Sequence, residues 1–197
     1  MNLKGKKIGV GITGSHCTLQ EIIPVLEDMV RQGAVIYPVV SPAIMENDTR
    51  FGAAKKWLEL IAGIAGREPF KSIVEVEPIG PYGSMDAVVI LPCTGNTLAK
   101  LSGGITDTAV LMAAKAQLRN QGPVILAIST NDGLGINLKS LANVLNTKNV
   151  YLVPFYQDDP ESKPNSITSR LELVIPAVKS ALQGKQIQPL LSIGENK

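Results

Sequence analysis

The stretch Ala87-Val88-Val89-Ile90-Leu91-Pro92-Cys93-Thr94-Gly95-Asn96-Thr97-Leu98-Ala99-Lys100 reads as a buried strand, a small polar turn and the start of a helix. Its apolar residues run without alternation, as in a strand covered on both faces of a parallel sheet. A turn between such a strand and a helix points backbone N–H groups outward at the positive end of the helix dipole. It therefore suits a phosphate or a carboxylate. The central strand is read over Asp86 to Leu91, and a short helix begins at Thr97 and meets Gly103-Gly104. A second turn of the same kind, Gly11-Ile12-Thr13-Gly14-Ser15-His16-Cys17-Thr18, follows a first strand at Lys7 to Ile12.

Working outward, helices and strands alternate. Thr18 and Glu21 have capping-box spacing ahead of Leu19, Ile22, Ile23, Leu26, Met29 and Val30, and Gly33 ends that helix. Ala34 to Ser41 is the second strand. Phe51 to Ile64 has one apolar helical face, Ser72 to Ile79 reads as a weaker strand, and Pro78-Ile79-Gly80-Pro81-Tyr82-Gly83 breaks the chain. A longer helix is expected from Thr106 to Asn120, a strand from Pro123 to Ser129, a modest helix from Asn137 to Leu145 and the last strand from Asn149 to Phe155. Gln157 to Asn165 has the composition of a mobile loop, and a helix around Leu171, Val174, Ile175, Val178 and Leu182 follows. This pattern predicts an α/β fold: a mostly parallel sheet with helices on both faces. Ligands of such sheets bind outside the carboxyl ends of the strands. The turns at Gly14, Ser41, Thr94 and Ser129 are expected to open on that one edge.

The bulk properties exclude several functions. The 197 residues suit one domain, with a net charge of +2 and basic residues scattered along the chain. Charge-driven nucleic-acid binding is not expected, nor is base stacking with only 4% aromatic residues. No apolar run approaches the roughly 20 residues of a membrane span, and no signal-peptide core follows the basic start. Two cysteines, Cys17 and Cys93, do not make a disulfide framework, so a cytoplasmic protein is expected. No His/Cys/Asp/Glu cluster has metal-ligand spacing, and no metal site is expected.

Gly14 and Ser15 could cradle a phosphate, Gly14 by allowing close approach and Ser15 through its hydroxyl; the alternative is a tight turn that binds nothing. The turn is neither a Walker loop nor a full dinucleotide fingerprint. His16, the single histidine, could hold an anion or act as a general acid or base; equally, it could cap the helix or face water. No other catalytic residue is assigned. Thr94, Gly95, Asn96 and Thr97 place three hydrogen-bonding side chains in four positions, more than a cap at Asn96 or Thr97 requires. Cys93 is read as a small buried apolar residue rather than a nucleophile. Asn131, Asp132, Asn137 and Lys139 could wall a substrate pocket, Lys139 pairing a carboxylate, or could belong to a solvated, glycine-rich loop.

These residues resemble the flavoprotein family of Rossmann-like proteins, which includes phosphopantothenoylcysteine and peptidyl-cysteine decarboxylases and flavin prenyltransferases. Pro92-Cys93-Thr94-Gly95-Asn96-Thr97 looks like a blend of the decarboxylases' Pro-Ala-Ser-Ala-Asn-Thr and the prenyltransferases' Pro-Cys-Ser-Met-Lys-Thr. Gly11-Ile12-Thr13-Gly14-Ser15 is similar to their first flavin-phosphate turn, Ser41 matches a flavin contact, and Gly103-Gly104-Ile105-Thr106-Asp107-Thr108 is similar to their glycine-interrupted helix. The resemblance implies a single Rossmann-like three-layer sandwich over residues 1–197, with a weakly patterned tail at 183–197. It also implies a homo-oligomer, and FMN held by Gly14, Ser15, His16, Ser41, Thr94, Gly95, Asn96 and Thr97.

The wording of Gly11 to Thr18, Leu91 to Thr97 and Leu134-Gly135-Ile136-Asn137 is similar to a sporulation branch of that family. That likeness implies oxidation of dihydrodipicolinate to dipicolinate in the mother-cell cytoplasm, beside a separate NADP-binding subunit. An FMN-dependent decarboxylase of acyl-cysteine substrates and a non-catalytic binding subunit are the alternatives. Two departures weigh against decarboxylation and prenylation. Phe51 to Ile64 holds no histidine, and Ser129-Thr130-Asn131-Asp132-Gly133 holds neither the decarboxylases' Pro-x-Met-Asn nor the prenyltransferases' arginine.

Overall fold

Along β1 (Lys7–Ile12), apolar side chains and glycines alternate, and each set meets a different layer of helices. Ile8, Val10 and Ile12 face one core together with Leu19, Ile22, Leu26 and Met29 of α1 (Leu19–Arg31), Trp57 and Ile61 of α3 (Ala54–Ala65), and Val174 and Val178 of α8 (Val174–Ala181). On the other face, Gly11 lets the opposite layer approach: a Cβ there would lie 2.7 Å from Val110 Cγ1 of α6 (Ala109–Arg119). In β3 (Ala87–Cys93), Val89 and Leu91 join the first core and Val88 and Ile90 the second. Every residue of β3 is buried, as its unalternating sequence predicts. The second core is completed by Ala113 and Ala114 of α6 and by Leu141 and Val144 of α7 (Leu138–Leu145).

The computed structural model describes residues 2–79 and 85–192. Its seven-stranded sheet runs β2 (Val35–Val40), β1, β3, β4 (Val124–Thr130), β7 (Ile167–Ser169), β6 (Phe155–Tyr156), with β5 (Val150–Leu152) also on β4. β1 to β5 are parallel. β4 forks: Val124 to Leu126 pair with β5, while Ser129 and Thr130 pair antiparallel with β7. The predicted three-layer, mostly parallel α/β sandwich is the observed architecture. No described helix is long and apolar enough to cross a membrane.

Four expectations need correction. Ser72 to Ile79 is not a strand: it forms α4 (Ile73–Val76) and a 3-10 turn at Glu77–Ile79. Ser72 Oγ accepts from the Glu75 backbone N–H at 3.2 Å, and the Glu75 carboxylate accepts from the Lys71 N–H at 2.6 Å. The Ser-x-x-Glu spacing of a helix start was present and outweighs the β-branched residues. Conversely, Thr18 makes no side-chain cap; its hydroxyl is shared with Ser15 and Ser129. α5 (Gly95–Ser102) begins two residues earlier than expected, with Thr94, not Asn96 or Thr97, as its cap. Finally, Asn149 to Phe155 is not the last strand. β5 ends at Leu152, ahead of Pro154, which has no N–H for a ladder, and the chain returns as the β6–β7 hairpin.

Two segments are better tied than their composition suggests. In the loop before β7, Asp159 O accepts from Lys163 N at 2.8 Å, and Gln157 Nε2 donates to Pro164 O at 2.9 Å. After α8, Gln186 bonds both backbone groups of Leu152, at 2.8 and 2.7 Å, and so covers the free edge of β5. The chain break expected at Pro78 to Gly83 and the last five residues of the expected tail lie largely or wholly outside the described residues.

Candidate functional site

The turns after β1 and β3 are joined by one hydroxyl. Thr13, 1% exposed, donates from Oγ1 to Pro92 O at 2.7 Å and accepts from the Thr94 N–H at 3.1 Å. Thr94 Oγ1 then accepts from the Thr97 N–H at 3.3 Å and lies 3.0 Å from Thr97 Oγ1. Satisfying an otherwise orphaned donor fixes the start of α5 and holds the two turns at one rim.

Between these turns and β2 lies a cavity of about 380 Å³, whose walls include Gly14, Ser41, Thr94, Asn96, Thr97 and Lys100. Ser41 precedes the short helix α2 (Pro42–Glu46). It is 8% exposed, and its hydroxyl is buried without a hydrogen-bond partner. A buried, unpaired hydroxyl costs free energy unless a guest completes it. Gly14 leaves the approach open, since a Cβ there would stand 2.7 Å from the Ala43 Cβ. Asn96 is exposed. Lys100 brings an ammonium to the wall, paired with Asp107 at 2.5 Å. The elements suit an anion: a helix start, the unpaired Ser41 hydroxyl, the exposed Asn96 side chain and an ammonium shared with Asp107.

A second, more polar cavity of about 270 Å³ lies on the other side of the first turn, lined by Ser15, Thr18, Ser129, Asn131, Tyr156 and Lys163 among others. Ser15, Thr18 and Ser129 form a closed hydroxyl triangle with edges of 2.9, 3.1 and 3.2 Å. The Asn131 Oδ1 accepts from Ser166 Oγ at 3.3 Å. Burial pushes the Tyr156 phenol up, opposed by Arg170, whose guanidinium lies 4.6 Å from the ring centroid.

The structure thus divides the expected site residues. Gly14, Ser41, Thr94, Asn96 and Thr97 share the first cavity, while Ser15 and Asn131 line the second. Gly95 is buried and lines neither cavity. His16 is half-buried beside Gly14, its Nδ1 buried without a partner, and it lines neither cavity. Asn137 is 6% exposed and donates to Asp132 Oδ2 at 2.9 Å. Lys139 is exposed on α7, away from both walls. Thr13, Lys100 and Lys163 were missed. Thr13 stands in the quoted turn, but nothing in its local sequence announces an 81-residue link to Thr94. Cys93 is fully buried, and its thiol is pushed up to about 12 by that burial, which suits packing and not nucleophilic attack.

Comparison with known proteins gives the family and the fold. The family model described as Flavoprotein matches residues 1–164. The B subunit of dipicolinate synthase from Bacillus subtilis (strain 168) is 46% identical over 190 residues, covering 96% of this chain and 95% of that protein. The crystal structure of the corresponding dipicolinate synthase B subunit from Bacillus halodurans C superposes with a TM-score of 0.91 at 43% identity, covering 98% of this chain and 100% of that one. The FMN-dependent cysteine decarboxylase SpaF shares the fold, with a TM-score of 0.64 at 17% identity over 92% of this chain and 97% of that one.

Proposed function

The chain belongs to the Flavoprotein family, and from that premise we propose that it is the B subunit of a dipicolinate synthase. In this reading it works in the cytoplasm of a sporulating mother cell. It assembles with itself and with the NADP-binding A subunit to oxidise dihydrodipicolinate to dipicolinate. Identity over nearly the full length of a protein of that name supports the assignment.

The observation that carries the site is the unpaired Ser41 hydroxyl in the wall of the first cavity. FMN fits what surrounds it. The cavity lies in the range of small-molecule sites, roughly 300–1,000 Å³. Gly14, Thr94, Asn96 and Thr97 would hold the phosphate, and Ser41 would donate to or accept from the cofactor. When bound, FMN supplies a two-electron acceptor. The chain's own part is to fix the phosphate with amide and hydroxyl groups and to hold Lys100 at the wall through Asp107.

A decarboxylase acting alone finds less support, because α3 carries no histidine. The experiment is an assay of dihydrodipicolinate oxidation with this chain, its partner subunit, and both together. Full activity only in the mixture supports the proposal; full activity of the partner alone refutes it. Unchanged activity of the complex carrying Asn96→Ala would favour a non-catalytic binding subunit.

A further inference from the structure

Two exposed apolar features stand at the two ends of α5, one convex and one concave, and their borders carry opposite charge. The convex one is the segment between β4 and α7, where Leu134, Ile136 and Leu138 are exposed within five residues, Ile136 to 72%. Bonds from Gly135 N to Asp132 O at 3.0 Å and from Leu138 N to Gly135 O at 3.1 Å fix it as a ridge. It adjoins the start of α5, since a Cβ on Gly95 would lie 2.7 Å from Asn137 Nδ2. Apolar residues scattered singly on a surface need no explanation, but three on one fixed ridge mark a contact.

The concave feature lies beyond the other end of α5. Leu101, Ile105, Leu111 and Leu118 line a groove of about 440 Å³ against α6. Its border is basic: Lys115 and Arg119 stand one turn apart on α6, both exposed. Neither side chain has an ion-pair or hydrogen-bond partner among the described residues. The border of the ridge is acidic. Leu134 N bonds to Asn165 O at 3.0 Å, which sets the ridge beside the loop Gln157 to Asn165. That loop carries Asp158, Asp159 and Glu161 against one cation, Lys163. Asp158 and Glu161 are exposed and have no ion pair among the described residues.

We propose that these two surfaces dock on each other between copies of this chain. The ridge of Leu134, Ile136 and Leu138 on one copy seats in the groove of another, and the acidic loop faces Lys115 and Arg119. An apolar centre with a rim of complementary charge is the usual anatomy of a specific contact. Ridge on ridge or groove on groove would set like charges together, which the same rule disfavours. A twofold pair, in which each copy gives and receives, and a closed ring both leave no seat empty. Leu111 lines the first cavity as well as the groove, so the docked copy stands beside the proposed FMN site. The inference rests on the self-assembly in the proposed function and adds the surfaces that make it.

The test is the mass of the purified chain by light scattering after size exclusion. Wild type runs as an oligomer. Ile136→Ser with Leu138→Ser removes the ridge, and Lys115→Glu with Arg119→Glu reverses the charge of the groove. Each pair of changes weakens self-association about tenfold or more. The altered side chains are exposed, so an unchanged urea midpoint checks that the fold persists. Val30→Ser, at an exposed apolar residue of α1 on the other face of the sheet, leaves the mass unchanged. Mixing the two double variants restores association, because the first keeps its groove and the second its ridge. No association in the mixture, or a ridge variant as oligomeric as wild type, overturns the inference and leaves self-assembly to another surface. A monomeric wild type overturns both the inference and the self-assembly it rests on; if the ridge variant then loses the A subunit, the ridge docks that partner instead. The dihydrodipicolinate assay judges the rest of the functional reading separately.

Discussion

The carboxylate of Asp132 occupies the place a side chain at Gly95 would take: a Cβ on Gly95 would lie 2.6 Å from Asp132 Oδ1. Thr130 Oγ1 and Asn137 Nδ2 stand equally close, at 2.5 and 2.7 Å. Both bond the same carboxylate, Thr130 through a short hydrogen bond and Asn137 at 2.9 Å. The end of β4 and the residues after it thus brace the first turn of α5, and glycine is required because three polar atoms fill the space.

Gly95→Ala must push this network aside. The expected loss is about 1–3 kcal/mol, the usual range for overpacking a filled site. It should appear as a lower urea midpoint with an unchanged slope. Binding at the cradle should weaken with it, because Asn96 and Thr97 move with the helix start.

Asp132 gives the network a pH dependence. The Thr130 hydroxyl lowers its pKa most, burial works against this, and Asn137 lowers it further; the net shift is below the ordinary 3.8. A carboxyl depressed in the folded state stabilises the protein above its unfolded value. That stabilisation is lost as pH falls through the unfolded and then the folded value, because the unfolded chain takes up the proton first. Stability should therefore fall with acid from about pH 5 downward, and Asp132→Asn should flatten this slope in urea melts.

Ser41→Ala separates binding from folding. The hydroxyl has no internal partner, so its removal should leave stability unchanged or raise it by up to about 1 kcal/mol. FMN affinity should fall by roughly two- to tenfold, the worth of one neutral hydrogen bond. Equal losses in thermal stability and affinity would mark the hydroxyl as structural.

The parts of this molecule legible in sequence are those where one local force dominates. The unalternating apolar run of β3 announces a doubly covered strand, and the Gly33 that follows α1 sits at φ +85°, where a helix exit favours glycine. Ser72 shows the opposite case, since Ile73 and Val74 suggest a strand while the cap and Glu75 make a helix. The cradle was legible as a turn but not as a connected object, since Thr13 reaches Thr94 across 81 residues. The short β6–β7 hairpin carries two- and three-residue strands, too brief for periodicity to register. For Asp132 and Asn137 the sequence left open a pocket wall or a solvated loop, and the fold turns both toward Gly95.

The two thiols should differ sharply in reactivity. Cys17 is exposed in the first turn, whereas Cys93 is buried and pushed up to about 12. Brief treatment with iodoacetamide at pH 8 should label Cys17 alone in the native protein, and both after denaturation, as read by peptide mass spectrometry. Rapid native labelling of Cys93 would contradict the packing described for β3.

The anion cradle between the β1 and β3 turns is tested most directly by titrating FMN with apoprotein and following flavin fluorescence, using wild type and Asn96→Ala. Asn96 is exposed, so its truncation should leave the fold intact. The account predicts saturable binding to the wild type, competition by inorganic phosphate, and a Kd about fivefold or more higher in Asn96→Ala, in line with the loss of one hydrogen bond. No saturable binding, or identical curves for both proteins with no effect of phosphate, would contradict it.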